Sequence, residues 1–141
     1  MNLTPFEELE ANLSKIECRD KTGKLLSLDK GIHEAVQRVL TCRKKGSKVF
    51  LIGNGGSASI ASHISTDFLK NAGVRSQAFN DPSLLTCLSN DLGYEHVFEK
   101  SLEIWAGKGD ILFSISSSGK SRNILNAVSK ARQKKCFVIT L

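Results

Sequence analysis

Two glycine- and serine-rich turns hold the residue types best suited to gripping an anion, and each follows an apolar run of strand character. Gly53-Asn54-Gly55-Gly56-Ser57-Ala58-Ser59 follows Val49 to Ile52, and Ser116-Ser117-Ser118-Gly119-Lys120-Ser121 follows Ile111 to Ile115. The first N–H groups of a helix have no partner inside it, and the helix dipole favours negative charge there. Glycine lets a ligand approach the main chain closely, and serine hydroxyls add donors. A chain that sets this device twice is expected to hold a phosphorylated small molecule between the two turns.

The elements that position these turns are legible from periodicity. Phe6, Leu9, Leu13 and Ile16 have helical spacing over Pro5 to Ile16, with Thr4 as N-cap and Pro5 in the first turn. Lys21 to Lys24 reads as a turn, and Leu28 to Cys42 as a helix through Ile32, Ala35, Val36, Val39 and Leu40. A strand at Lys48 to Ile52 leads into a helix from about Ser57 to Asn71, stopped by Gly73. Arg75 to Phe79 suits a strand, Asp81 and Pro82 open a helix, and Glu95 to Trp105 is helical. Asp110 to Ile115 is a strand, Ser121 to Gln133 a helix and Cys136 to Leu141 a strand. Strands alternating with helices predict an α/β fold, a three-layer parallel sheet flanked by helices and Rossmann- or flavodoxin-like in type. Ligands on such sheets bind at the carboxyl ends of the strands, where both turns fall. The chain reads as one domain, with N-terminal helices over 1–46 and an αβ core over 47–141. Ending in an apolar strand, it is expected to lack a last strand and helix.

Composition narrows the class. The 141 residues are 40% hydrophobic and 24% charged, which suits an ordinary single-core chain. No apolar run is long enough for a bilayer, and Met1 to Glu10 shows no secretory pattern, so a cytoplasmic protein without a membrane partner is expected. Cys18, Cys42, Cys87 and Cys136 form no C-x-x-C pair; Cys87 and Cys136 lie in apolar stretches and read as reduced, structural thiols. The net charge of +6 gathers at Arg43, Lys44, Lys45 and Lys48 and at Lys130, Arg132, Lys134 and Lys135, where two helices end. Cations there complement the helix dipole, and no aromatic residues interleave with them, so direct nucleic-acid binding is not expected.

Three motif readings compete for the turns. Gly53 to Ala58 fits G-x-G-x-x-A, a dinucleotide fingerprint, but Asp81 arrives late for the ribose carboxylate and the second turn is left unexplained. Gly119-Lys120-Ser121 ends like a nucleotide-binding phosphate loop, but Ser114 stands where that loop needs its first glycine. The third reading uses both turns. Gly53-Asn54-Gly55-Gly56-Ser57, His63, Ser89-Asn90-Asp91-Leu92-Gly93-Tyr94 and Ser116-Ser117-Ser118-Gly119-x-Ser121-x-Asn123, in that order, resemble the phosphoheptose isomerase branch of the sugar isomerase (SIS) domains from about residue 28 to Leu141.

That resemblance implies a homo-oligomer, dimer or tetramer, that interconverts sedoheptulose 7-phosphate and glycero-manno-heptose 7-phosphate for surface polysaccharide. Ser116, Ser117, Ser118 and Ser121 would hold the phosphate; Asn54, Gly55, Gly56, Asn90 and Asp91 would meet the rest of the sugar. His63 matches a metal-ligand histidine, implying zinc, and Asp67 stands where the family has a glutamate that is both ligand and acid/base. Asp67 keeps the carboxylate on an arm one methylene shorter. Lys120 replaces the family's asparagine. The family's glutamine ligand and acid/base histidine are expected beyond Leu141; His33 and His96 match neither. The alternative from another class is a non-catalytic phosphosugar-binding regulator that acts through protein partners.

Overall fold

Alternation within the strand Lys48–Gly53 decides how the sheet is packed. In the computed structural model, which describes residues 4–141, Val49 and Leu51 face one layer while Phe50 and Ile52 face the other, and all are essentially inaccessible to water. A strand buried on both faces belongs in the middle of a parallel sheet.

The chain divides into a first unit ending at Arg38 and a second from Val39 to Leu141. The first unit holds α1 (Pro5–Leu13), a hairpin of β1 (Cys18–Arg19) and β2 (Leu25–Leu26), and most of α2 (Leu28–Lys44). Thr4 and Glu7 form a reciprocal capping box: Glu7 N donates to Thr4 Oγ1 (3.4 Å) and Thr4 N to Glu7 Oε2 (2.7 Å). The helix expected to reach Ile16 stops at Leu13, because the Ser14 hydroxyl turns back to the Ala11 carbonyl at 2.9 Å. The expected turn at Lys21 to Lys24 is the hairpin tip, where Asp20 Oδ1 accepts from Thr22 N (2.8 Å) and Lys24 N (3.1 Å). No residue of α1 is buried, and Phe6 is 84% exposed.

The second unit carries β3 (Lys48–Gly53), α3 (Gly56–Lys70), β4 (Arg75–Ala78), α4 (Pro82–Leu92), a 3-10 turn (Tyr94–His96), α5 (Val97–Trp105), β5 (Ile111–Ile115), α6 (Arg122–Gln133) and β6 (Phe137–Thr140). Its four strands are all parallel, in the order β4-β3-β5-β6. The chain leaves β3 towards one edge and then returns to its other side as β5, so the winding direction reverses between β3 and β5. On one face Phe50, Ile52 and Leu112 pack with Phe98 and Leu102 of α5 and Ile124, Ala127 and Ala131 of α6. On the other, Val49, Leu51 and Ile111 meet Ala61 and Phe68 of α3 and Val39 and Cys42 from the end of α2. The three-layer α/β expectation therefore holds. No helix among the described residues is long and apolar enough to cross a membrane.

The basic clusters do close helices. Arg43 and Lys44 occupy the last turn of α2, Lys130 and Arg132 that of α6, and the Arg75 guanidinium donates to the Gly46 carbonyl at 2.7 Å. The cysteines separate by environment. All four are free; Cys42 is buried and Cys136 partly so, but Cys87 is exposed on α4 and is no packing thiol, which corrects the sequence expectation. Burial, then the Asp110 charge, raises Cys42, and the same two causes push Cys136 up to about 11. Because the thiolate is the reactive form, iodoacetamide at pH 8 is expected to alkylate Cys87 well ahead of Cys42 and Cys136, as read by peptide mass mapping. Equal labelling of the three would contradict this packing.

Candidate functional site

The crevice opens at the reversal point. Gly53 and Ile115, the last residues of β3 and β5, are register partners, so the two rich turns leave adjacent strand ends side by side. Ligands of open α/β sheets bind at this place.

The first turn is built for close approach. A Cβ on Gly53 would lie 2.6 Å from the Ser57 backbone carbon, so only glycine lets the start of α3 fold over the strand end. Gly55, the N-cap of α3, has φ +54° with ψ −123° and makes no side-chain cap. Gly55 and Gly56 are exposed at the mouth.

The second turn holds donors in reserve. Ser116 Oγ accepts from Gly119 N (3.2 Å) and Ser118 Oγ from Lys120 N (3.2 Å), which shapes the loop. Ser121 is the N-cap of α6, yet its hydroxyl makes no cap hydrogen bond. Among the described residues, the N–H groups of Ser117, Ser118, Arg122 and Asn123 have no protein acceptor. Ser117, Ser118 and Lys120 are exposed and Ser116 and Ser121 half-buried. This cluster of hydroxyls and unmatched amides at one helix mouth suits a phosphate; a plain cap would use one side chain.

The turns are joined side chain to side chain. Asn54 Nδ2 donates to Asn123 Oδ1 at 3.1 Å, and Asn123 Nδ2 donates back to Asn54 Oδ1 at 2.8 Å. Tyr94 Oη also donates to Asn54 Oδ1 at 2.9 Å. Asn123 is 3% exposed. Sequence reasoning placed Asn123 and Tyr94 inside motifs but gave neither a role, since the partners are 69 and 40 residues from Asn54. Beyond Tyr94 lies an open cleft of about 370 Å³ lined by Leu85, Thr86, Ser89, Asn90 and Tyr94. Asn90 thus lines the same cleft as Tyr94, the partner of Asn54. Asp91, on the last turn of α4, does not line the cleft; its Oδ1 accepts from Asn90 Nδ2 at 2.9 Å.

His63 and Asp67 form a separate pair on α3, Nε2 to Oδ2 at 3.4 Å, with side chains 77% and 44% exposed. Asn71 Nδ2 donates to Asp67 Oδ1 at 3.2 Å. Asp67 stands eleven positions after Gly56, about 16 Å along the axis, so it lies well away from the mouth of its own helix. The pair offers two donors where a catalytic zinc takes three protein ligands, and no group of three metal-binding side chains occurs among the described residues. His63 and Asp67 do not make a zinc site on their own, and no step below runs through a metal.

Comparison with known proteins agrees with this fold. The model of the SIS domain matches residues 23–141. The phosphoheptose isomerase of Helicobacter hepaticus is 39% identical over 84% of the chain, and that of Vibrio cholerae 38% identical over 89%. The chain spans 63% and 70% of those relatives' own lengths. A solved phosphoheptose isomerase from Neisseria gonorrhoeae superposes with a TM-score of 0.75 at 34% identity, covering 82% of this chain and 63% of that one. One from Francisella tularensis gives 0.77 at 28% identity, with 99% and 75% covered.

Proposed function

The chain belongs to the SIS domain family, and from that premise we propose that it is a phosphosugar aldose–ketose isomerase acting on sedoheptulose 7-phosphate in the cytoplasm. One observation supports this above the others: two helix mouths rich in small and hydroxyl residues meet at the β3–β5 reversal and are tied together by side chains. The phosphate would sit among the Ser116–Ser121 hydroxyls and the free N–H groups at the start of α6, while the reacting end of the sugar reaches Gly55, Gly56 and Asn54. Hydrogen bonds to a charged group contribute about 1.5–3 kcal/mol each, enough to anchor a small ligand by one end.

Isomerisation requires that a base take a proton from C1 of the ketose. The electron pair moves into the C1–C2 bond, and the former carbonyl oxygen becomes an enediolate oxyanion. Returning a proton to C2 and moving the O1 proton onto O2 gives the aldose. Asp67 is the base candidate. Since it lies about 16 Å along α3 from its own mouth, it would serve the crevice of a second copy, which makes the active species a homo-oligomer. The exposed apolar side chains Phe6, Leu9 and Leu13 on α1, and Leu28, Ile32 and Val36 on α2, support association of copies.

The test is incubation of the chain with sedoheptulose 7-phosphate, with and without added zinc, followed by assay for the aldose. Product is expected, and Ser118→Ala should raise KM about tenfold or more through loss of one phosphate contact. Sugar-phosphate binding without product would favour the non-catalytic regulator. Neither binding nor product would overturn both readings.

A further inference from the structure

The hydrogen bonds around Asn54 fix which of its two polar ends remains for a ligand. The start of α6 leaves the Ile124 N–H without an intrahelical partner. That group, which can only donate, is taken by Asn123 Oδ1 at 3.0 Å. Asn123 therefore has its oxygen towards the helix start, and its Nδ2 must be the donor to Asn54 Oδ1 (2.8 Å). Asn54 in turn must donate through Nδ2 to Asn123 Oδ1 (3.1 Å), and the Tyr94 hydroxyl must donate to Asn54 Oδ1 (2.9 Å). Both lone-pair positions of Asn54 Oδ1 are then filled. One Nδ2–H is all the hydrogen-bonding capacity that the Asn54 side chain keeps. The Tyr94 segment is itself held to α6, because Asn126 Nδ2 donates to the Glu95 carbonyl at 3.0 Å.

We propose that Tyr94 and Asn123 are positioning residues that lock Asn54 with its amide donor free, so that Asn54 serves an acceptor oxygen of the ligand, the carbonyl that becomes the enediolate oxyanion. This rests on the isomerase reading for the identity of the oxygen, but not for the polarity of the lock. A preset donor aimed at developing charge acts on kcat more than on KM, and removing one such donor elsewhere has cost about 10²–10³-fold in kcat. A contact to a sugar hydroxyl would instead act on KM.

Two probes read the polarity without turnover: a hydroxamate analogue of the heptulose phosphate, which carries an anionic oxygen at the reacting position, and the matching alditol phosphate, which does not. The wild-type chain is expected to prefer the hydroxamate. Asn54→Ala should abolish most of that preference and leave alditol phosphate affinity within about twofold. Tyr94→Phe keeps the half-exposed ring, so folding is not at stake; it should lower both the preference and kcat about fivefold, with KM within about twofold. Exchange of the Asn54 side-chain amide protons, followed by NMR without ligand, should speed up in Tyr94→Phe. Equal weakening of both probes, or a Tyr94→Phe chain that matches wild type in preference and amide exchange, would overturn the proposal. A preference for the hydroxamate in a chain that makes no aldose would sink the isomerase reading alone. Turnover with no effect of Asn54→Ala on the preference would sink the lock alone.

Discussion

An Asp67→Asn exchange is expected to lower kcat on sedoheptulose 7-phosphate by about 10²–10⁴-fold, the range that positioned acid/base catalysis supplies. KM should change little, because the serine turn proposed to anchor the phosphate lies on other elements. The asparagine keeps size and can still bond Asn71, now bonded to Asp67 at 3.2 Å, so stability should be close to wild type. Asp67→Glu lengthens the arm by one methylene, to the reach the resemblance implies, and should retain activity. At substrate well below KM, mixing Asp67→Asn chains with Ser118→Ala chains, each impaired there alone, should raise turnover above the sum of the two, because hybrid crevices would pair an intact serine turn with an intact carboxylate. No recovery on mixing, with hybrids formed, would mean that one copy supplies both groups.

The largest expected loss of stability is far from this chemistry. Asp110 is 3% exposed at the amino end of β5, where its carboxylate accepts from Lys48 N (2.7 Å) and Gly107 N (2.9 Å) and meets Lys48 Nζ at 3.2 Å. Asp110→Ala would leave two backbone donors and an ammonium group without their acceptor. The Lys48 side chain is 28% exposed, so the loss rests mainly on the two backbone donors, and a buried donor left unsatisfied costs about 1–3 kcal/mol. Urea titration should therefore show a markedly lower midpoint with an unchanged slope. A loss below about 1 kcal/mol would mean that water replaces the carboxylate at little cost.

Local signals made most of the fold readable. Asp81 before Pro82 is the N-cap of α4, with Leu84 N to Asp81 Oδ1 at 2.9 Å, because capping chemistry needs only near neighbours. The helix expected from Glu95 begins instead as a 3-10 turn at Tyr94–His96 and becomes α-helical at Val97. The hairpin at Cys18–Leu26 was missed because two-residue strands carry no period.

The site was half legible. Both turns announce themselves through glycine and serine at strand ends, but their adjacency depends on strand order, which periodicity does not encode. The Asn54–Asn123 clasp and the Asp110–Lys48 pair bridge 69 and 62 residues, and each exists only because β3 lies beside β5. His63 and Asp67 share a helix face as their spacing of four demands, yet that spacing is silent about which mouth they face.

The measurement closest to the central claim is a crystal structure of the chain with sedoheptulose 7-phosphate bound. The phosphate should lie within hydrogen-bond distance of Ser116–Ser121 and the first N–H groups of α6, with the sugar running towards Gly55 and Asn54. Phosphate density at any other helix mouth, or a sugar that never touches the first turn, would contradict the account.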